Sequence, residues 1–156
     1  MRAVVQRVRS AAAHVDDERV AEIGPGIAVL VGVGASDRPE DGERLAEKIA
    51  GLRIFDDENG KMNWSLERSG GAVLVIPQFT LYGDVRGGRR PDFTRAAAPD
   101  VGQRLYEAFC GVLRAKGLRV EMGRFGARMR VTLENDGPVT VVASTDGWIE
   151  GDVGKG

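Results

Sequence analysis

The chain has 156 residues and a mass of 16.8 kDa, which suits one domain burying about 70% of its unfolded surface. Its 42% hydrophobic and 29% charged residues exclude a disordered chain, and 22 Lys+Arg against 23 Asp+Glu leave a formal charge of −1, so any affinity for nucleic acid must come from a local patch. One cysteine, Cys110, excludes an internal disulfide and a multi-cysteine zinc site and fits a reducing, cytoplasmic home; the longest apolar run, Gly26 to Gly34, is far below the roughly 20 residues of a membrane helix, and the start carries no signal-peptide pattern.

In chain order, Ala3 to Val8 and Ala11 to Val15 read as strands, Asp16-Asp17-Glu18 as a turn and Arg19 to Ile23 as the returning strand. After Gly24-Pro25-Gly26, the run Ile27 to Val33 has the length and apolar continuity of a strand buried on both faces. Asp37-Arg-Pro-Glu40 has capping-box spacing, and Leu45, Ile49 and Leu52 then recur on one helical face to about Gly51–Arg53. Asp56 to Gly60 turns into a short strand near Met62, and Gly71 to Thr80 reads as a second central strand. Residues 91–98 read as loop. Pro99-Asp100 opens a second helix striped by Val101, Leu105, Phe109 and Val112 and stopped by Gly117. Leu118 to Met122, Met129 to Glu134 and Val139 to Ala143 close the chain as strands, the last two separated by an Asp136-Gly137-Pro138 corner, and a mobile tail is expected over 146–156. The pattern predicts an α+β single domain over 1–145, a curved, β-barrel-like sheet covered by two helices.

Much familiar chemistry is absent. His14, the sole histidine, lies on an alternating strand without a nucleophile elbow, so no serine-hydrolase triad is expected. There is no His/Cys cluster for a metal, and Asp57-Glu-Asn-Gly60 fails as a calcium loop because Phe55 and Leu66 fall at its first and twelfth places. Gly32-Val-Gly34 lacks the third glycine of a dinucleotide fingerprint. Cys110 on the apolar side of the second helix reads as a packed thiol, and Trp64 and Trp148 as packing residues. No cofactor or metal is expected. Two stretches stand out. Gly83 to Pro91 places Arg86, Arg89 and Arg90 in a glycine-rich loop, an arrangement that suits either phosphate binding or plain solvation. Gln78-Phe79-Thr80-Leu81 ends a buried strand with a polar pair, which suits either a site wall or a turn.

Val5-Gln-Arg-Val8, Lys61-Met-Asn63, Gln78-Phe-Thr-Leu81, Arg90-Pro91, Ala98-Pro99-Asp100, Gly123-Arg-Phe125 and Asn135-Asp-Gly-Pro-Val-Thr140 occur in an order and spacing that closely resemble the D-aminoacyl-tRNA deacylase family over about residues 1 to 145. The resemblance implies a compact barrel-like homodimer that hydrolyses the ester between a D-amino acid, or glycine, and the terminal adenosine of tRNA. It implies that Gln78, Phe79 and Thr80 line the ester, that Phe125 belongs to the adenine pocket, and that Arg7 braces a Gly137-Pro138 loop. That loop would carry a cis peptide and enter the partner subunit's site, where its carbonyls exclude an L side chain. Arg86, Arg89 and Arg90 are then candidates for tRNA phosphates. The chain departs from the family at Pro77, where serine is usual, which removes a hydroxyl and a backbone N–H. The alternatives are a non-catalytic tRNA-binding dimer and an esterase for small acyl compounds.

Overall fold

A computed structural model describes residues 1–146. The expected tail, and Trp148 within it, lie outside the described residues except for Asp146. Eight strands and three helices follow in the order β1 (Arg2–Val15), β2 (Glu18–Ile23), β3 (Gly26–Gly32), α1 (Pro39–Ala50), β4 (Phe55–Asp56), β5 (Met62–Trp64), α2 (Leu66–Ser69), β6 (Ala72–Pro77), α3 (Pro99–Ala115), β7 (Arg119–Met122) and β8 (Arg130–Ser144). The main sheet runs β2-β1-β3-β6-β7 and β8 pairs along the other edge of β1, while β4 and β5 form a separate small ribbon. β3 and β6 pair in parallel, as do β6 and β7, and β2 curls back over them so that the sheet nearly closes into a barrel.

The apolar runs explain this arrangement. Alternate residues of β3 and β6 serve two cores: Ile27, Val29, Val31, Val73 and Val75 face the helices, while Ala28, Leu74 and Ile76 face the inside of the curl. Both strands are thus buried on both faces. The inner core is rich in alanine (Ala11, Ala13, Ala21, Ala28, Ala72), and these small side chains let the sheet bend tightly. Gly26 fits the same logic, since a Cβ there would sit 1.9 Å from the Ala72 carbonyl oxygen.

The structure corrects several expectations. The two expected opening strands are one, β1, which keeps pairing with β8 through register shifts between Gln6 and Ser10. Asp37 does not cap α1. Asp41 accepts from the Arg38 N–H at 2.9 Å, one residue later than expected, whereas Asp37 accepts from the Met1 amino group at 2.7 Å and from the Tyr82 hydroxyl at 3.1 Å. Leu52 lies beyond the helix, past the Gly51 cap. The second central strand stops at Pro77 rather than Thr80, and residues Phe79–Tyr82 form a 3-10 turn. α3 turns its buried face toward Leu105, Tyr106, Phe109, Cys110 and Leu113, leaving Val101 and Val112 at the edge. The last two expected strands are the single strand β8, so Gly137-Pro138 is an insertion within it and not a corner between two strands.

Candidate active site

Pro77 ends β6 for a backbone reason. The Gln78 N–H donates to the Val31 carbonyl at 2.8 Å, so position 77 faces the opposite side, where β7 has already left the sheet at Gly123. A missing N–H is tolerated there. The chain then tightens into the 3-10 turn, held from beneath by Tyr82. The Tyr82 ring is buried, its hydroxyl donates to Asp37, and the Arg2 guanidinium lies 4.4 Å above its centroid while donating to the Leu81 carbonyl at 3.0 Å. Burial, and then the Asp37 charge, push the Tyr82 phenol well above its ordinary range.

On this turn Gln78 and Thr80 meet: the Gln78 Nε2 donates to the Thr80 Oγ1. Neither titrates, so the pair can orient and polarise but cannot take up a proton as a general base. The N–H groups of Phe79 and Thr80 open the turn and donate to no carbonyl among the described residues. Phe79 is 58% exposed and meets Phe93 edge-to-face at 5.1 Å.

Beside the turn lies a cleft of about 560 Å³, lined by Pro77, Gln78, Phe79 and Phe93 together with Phe125 and Met129. Phe125 comes from the turn after β7 and packs on Tyr106 of α3 with centroids 6.0 Å apart. The walls are mostly apolar, with Gln78 as the polar side chain at the rim, a composition suited to a flat aromatic ligand. Thr80 is exposed and outside the cleft lining, next to the residues that form it.

Arg7, Gly137 and Pro138 form a second group. Gln6 pairs with Thr140 and Val8 with Asn135, so Arg7 alone faces the four residues 136–139, and β8 bulges outward there. The Gly137-Pro138 peptide is cis, and Gly137 has a φ of +126°. Arg7, 8% exposed, donates to the Asp136 carbonyl at 3.2 Å and the Ile54 carbonyl at 2.7 Å, and pairs with the Asp56 carboxylate at 3.3 Å. Sequence reasoning gave Asn135 no role, yet its Nδ2 donates to the carbonyls of Arg7 at 2.9 Å and Val139 at 3.0 Å, tying the two ends of the bulge together. An asparagine two residues ahead of a Gly-Pro pair was the available signal. Neither Gly137 nor Pro138 lines the cleft of its own chain.

The three loop arginines are not equivalent. Asp84 and Asp92 pair their backbones, and Arg86 is held by both Asp84 carboxylate oxygens, an interaction that keeps the Asp84 carboxyl well below the usual range. Arg89 and Arg90 are exposed and make no ion pair among the described residues. Replacing Asp84 by asparagine should free Arg86 and remove a negative charge, raising affinity for a polyanion such as heparin by about two- to threefold and steepening its salt dependence by roughly one counterion. Binding at two salt concentrations would check this.

Other nucleophiles lie elsewhere. Cys110 is fully buried in the helix-side core, and burial pushes its thiol up to about 12. His14 sits at the bulge between β1 and β2 and does not line the cleft, and no His/Cys/Asp/Glu cluster suited to a metal occurs among the described residues. Asp57 accepts from the N–H groups of Asn59 and Lys61, as a turn residue does, and these bonds lower its pKa. Gly34 is packed against the Tyr82 ring, which leaves no seat for a dinucleotide phosphate.

Comparison with known proteins gives a consistent picture. The family model described as D-Tyr-tRNA(Tyr) deacylase matches residues 4–144. The D-aminoacyl-tRNA deacylase of Thermotoga petrophila is 58% identical over 142 residues, covering 91% of this chain and 95% of its own. That of Symbiobacterium thermophilum is 56% identical over 146 residues, covering 94% and 97%. Among solved structures, the c-Myc DNA Unwinding Element Binding Protein superposes with a TM-score of 0.87 at 39% identity, over 93% of this chain and 99% of its own. A probable eukaryotic D-amino acid tRNA deacylase shares the fold, with a TM-score of 0.78 at 24% identity over 91% and 97%.

Proposed function

Since the chain belongs to the D-Tyr-tRNA(Tyr) deacylase family, hydrolases of the ester that links a D-amino acid to tRNA, we propose that it removes D-amino acids, and glycine, from mischarged tRNA in the cytoplasm. The observation that carries this reading is the apolar cleft that Phe125 lines together with Gln78 and Phe79. The terminal adenine enters against Phe125, which brings the ester to the 3-10 turn. Water attacks the ester carbonyl carbon, the bond to the ribose O3′ breaks, and the proton passes to O3′ with help from the substrate's own 2′-hydroxyl. This route suits a turn without a titratable base. The N–H groups of Phe79 and Thr80 steady the oxyanion, and the Gln78–Thr80 side-chain pair fixes the turn and the attacking water.

The handedness filter in this reading is the Gly137-Pro138 bulge, delivered into the cleft of a second copy. Three features support it. The bulge projects a stretch of backbone in which Gly137 carries no side chain, Arg7 and Asn135 hold it stiffly, and it is absent from the cleft of its own chain. In addition, β8 pairs with β1 alone among the described strands and leaves an edge for a partner. Carbonyls at a fixed place reject an L side chain by collision and leave the D side chain free to point outward, so rigidity and not reactivity gives the specificity. No helix among the described residues is long and apolar enough to cross a membrane. Arg89 and Arg90, exposed and without an ion pair among the described residues, are offered to tRNA phosphates.

Purified protein mixed with D-tyrosyl-tRNA and L-tyrosyl-tRNA tests the proposal. Release of D-tyrosine with the L ester intact supports it. Binding without release makes the chain a tRNA-binding dimer, and cleavage of simple esters regardless of tRNA makes it a small-molecule esterase. Thr80→Ala should lower kcat about tenfold and leave KM within about twofold, because the hydroxyl lies outside the cleft and acts on the turn and the water. Single-turnover assays would show the split.

A further inference from the structure

Tyr106 on α3 is 1% exposed, and its hydroxyl lies between two backbone carbonyls, 2.9 Å from that of Val75 and 3.1 Å from that of Gly123. These carbonyls mark the last point at which β6 and β7 run together. Val75 pairs with Met122, and the Gly123 N–H donates to the Val75 carbonyl at 2.8 Å. Beyond this point the strands diverge: β6 leads through Pro77 into the turn with Gln78 and Thr80, and β7 leads into the turn with Phe125. The Tyr106 ring also touches the Phe125 ring, with an interplanar angle of 43°. One turn earlier on α3, Gly102 gives the Phe125 ring its seat, since a Cβ there would lie 3.3 Å from the ring's Cζ.

Filling this volume does not require a hydroxyl. Phenylalanine would bury the same apolar surface, whereas a phenol in the helix-side core is costly unless bonded. Burial raises the Tyr106 pKa well above the ordinary tyrosine value, so the group keeps its proton and remains a donor throughout the working pH range.

We propose that Tyr106 is a positioning residue for the cleft: its hydroxyl pins the fork between β6 and β7, so that the Gln78–Thr80 turn and Phe125 stand at a fixed spacing and grip the terminal adenosine between them. This rests on the reading of the cleft as the adenosine site. Misplacement of a wall by about 1 Å can cost up to about a hundredfold, and part of that is expected here as lost grip.

The test is Tyr106→Phe, which keeps the ring. KM for D-tyrosyl-tRNA should rise about tenfold with kcat changed less than about twofold, and affinity for adenosine 5′-monophosphate, read by calorimetry, should fall by a similar factor. In the double variant with Phe125→Leu the two penalties should fall short of multiplying, because both changes loosen the grip between the same two walls. Replacing Tyr106 with 4-aminophenylalanine, which restores a donor at the same place, should recover most of the affinity. An unchanged KM and adenylate affinity, penalties that multiply in the double variant, or a Tyr106→Phe chain that fails to fold would each overturn the proposal. Adenylate binding that depends on Tyr106, in a wild type that does not cleave D-tyrosyl-tRNA, would instead overturn the deacylase reading and leave this one standing.

Discussion

Gly137→Ala is expected, on the proposed reading, to lower kcat/KM on D-tyrosyl-tRNA by about a hundredfold, the penalty for moving a positioned group by about 1 Å. The backbone at Gly137 has a φ of +126°, a region that L side chains rarely adopt, and there is no room for the added methyl. A Cβ would stand 2.7 Å from the Val139 Cγ2, 2.9 Å from the Val139 nitrogen and 3.2 Å from the Arg7 guanidinium. Two of these neighbours cannot retreat, since Val139 is held through its carbonyl by Asn135 and Arg7 is buried and bonded to Ile54. The bulge must therefore shift. Because it lies on an exposed face of a strand that stays paired on both sides of it, the fold should survive at a cost of about 1–3 kcal/mol. Circular dichroism together with deacylation kinetics separates the two effects. A folded variant with the wild-type rate would remove the bulge from the active site.

Arg7→Ala should have the second largest effect and act on stability and selectivity together. The guanidinium ties three segments that lie far apart in sequence: β1 supplies Arg7, the donor, the Ile54 to Asp56 stretch supplies a carbonyl and a carboxylate, and Asp136 supplies the bulge carbonyl. Its truncation strands the Ile54 carbonyl in a buried place and frees the bulge. The aspartates are partly exposed, which weakens the ionic part, so the loss of stability is about 2 kcal/mol, or roughly 4–8 °C in Tm for a domain of this size. On the proposed reading, a loosened bulge no longer collides with an L side chain, so the ratio of D to L cleavage should fall by about tenfold or more. Arg7→Lys should rescue little of it, since one ammonium cannot serve acceptors that diverge as these do. Thermal denaturation and paired assays on D- and L-tyrosyl-tRNA would decide the matter. Selectivity unchanged in a destabilised variant would confine Arg7 to a folding role.

The sequence was most legible where burial on both faces left one reading. The runs of β3 and β6 could only be inner strands, and they are. Legibility failed where local signals competed with distant contacts. The strand propensity of Val75, Ile76, Phe79 and Thr80 argued for a strand to Thr80, but the docking of Tyr82 against Asp37 and Arg2 winds the segment into a turn. Asp37 had the right spacing for a helix cap, and the Met1 amino group and Tyr82 claimed its carboxylate instead. The breaker residues Asp136-Gly137-Pro138 argued for a corner and hid the continuity of β8, because the pairing that carries the strand past Gly137 comes from β1, more than 120 residues away. As for the candidate site, spacing alone drew attention to the arginine loop and the Gln78–Thr80 stretch. The roles given to Phe125, Arg7 and Gly137-Pro138 came from family resemblance, since no period or motif in one chain links residues that meet only after folding.

The single thiol has a practical consequence. Cys110, enclosed by α3 and the sheet with its acidity suppressed to about 12, is a poor target for maleimides at neutral pH. A reporter cysteine introduced by Val142→Cys, at a side chain 77% exposed on the outer edge of β8, would therefore take up a spin label selectively without prior removal of the native sulfur. Dipolar spectroscopy on such a sample reads distances between labels on separate molecules, and so offers a ruler for whether and how two copies meet.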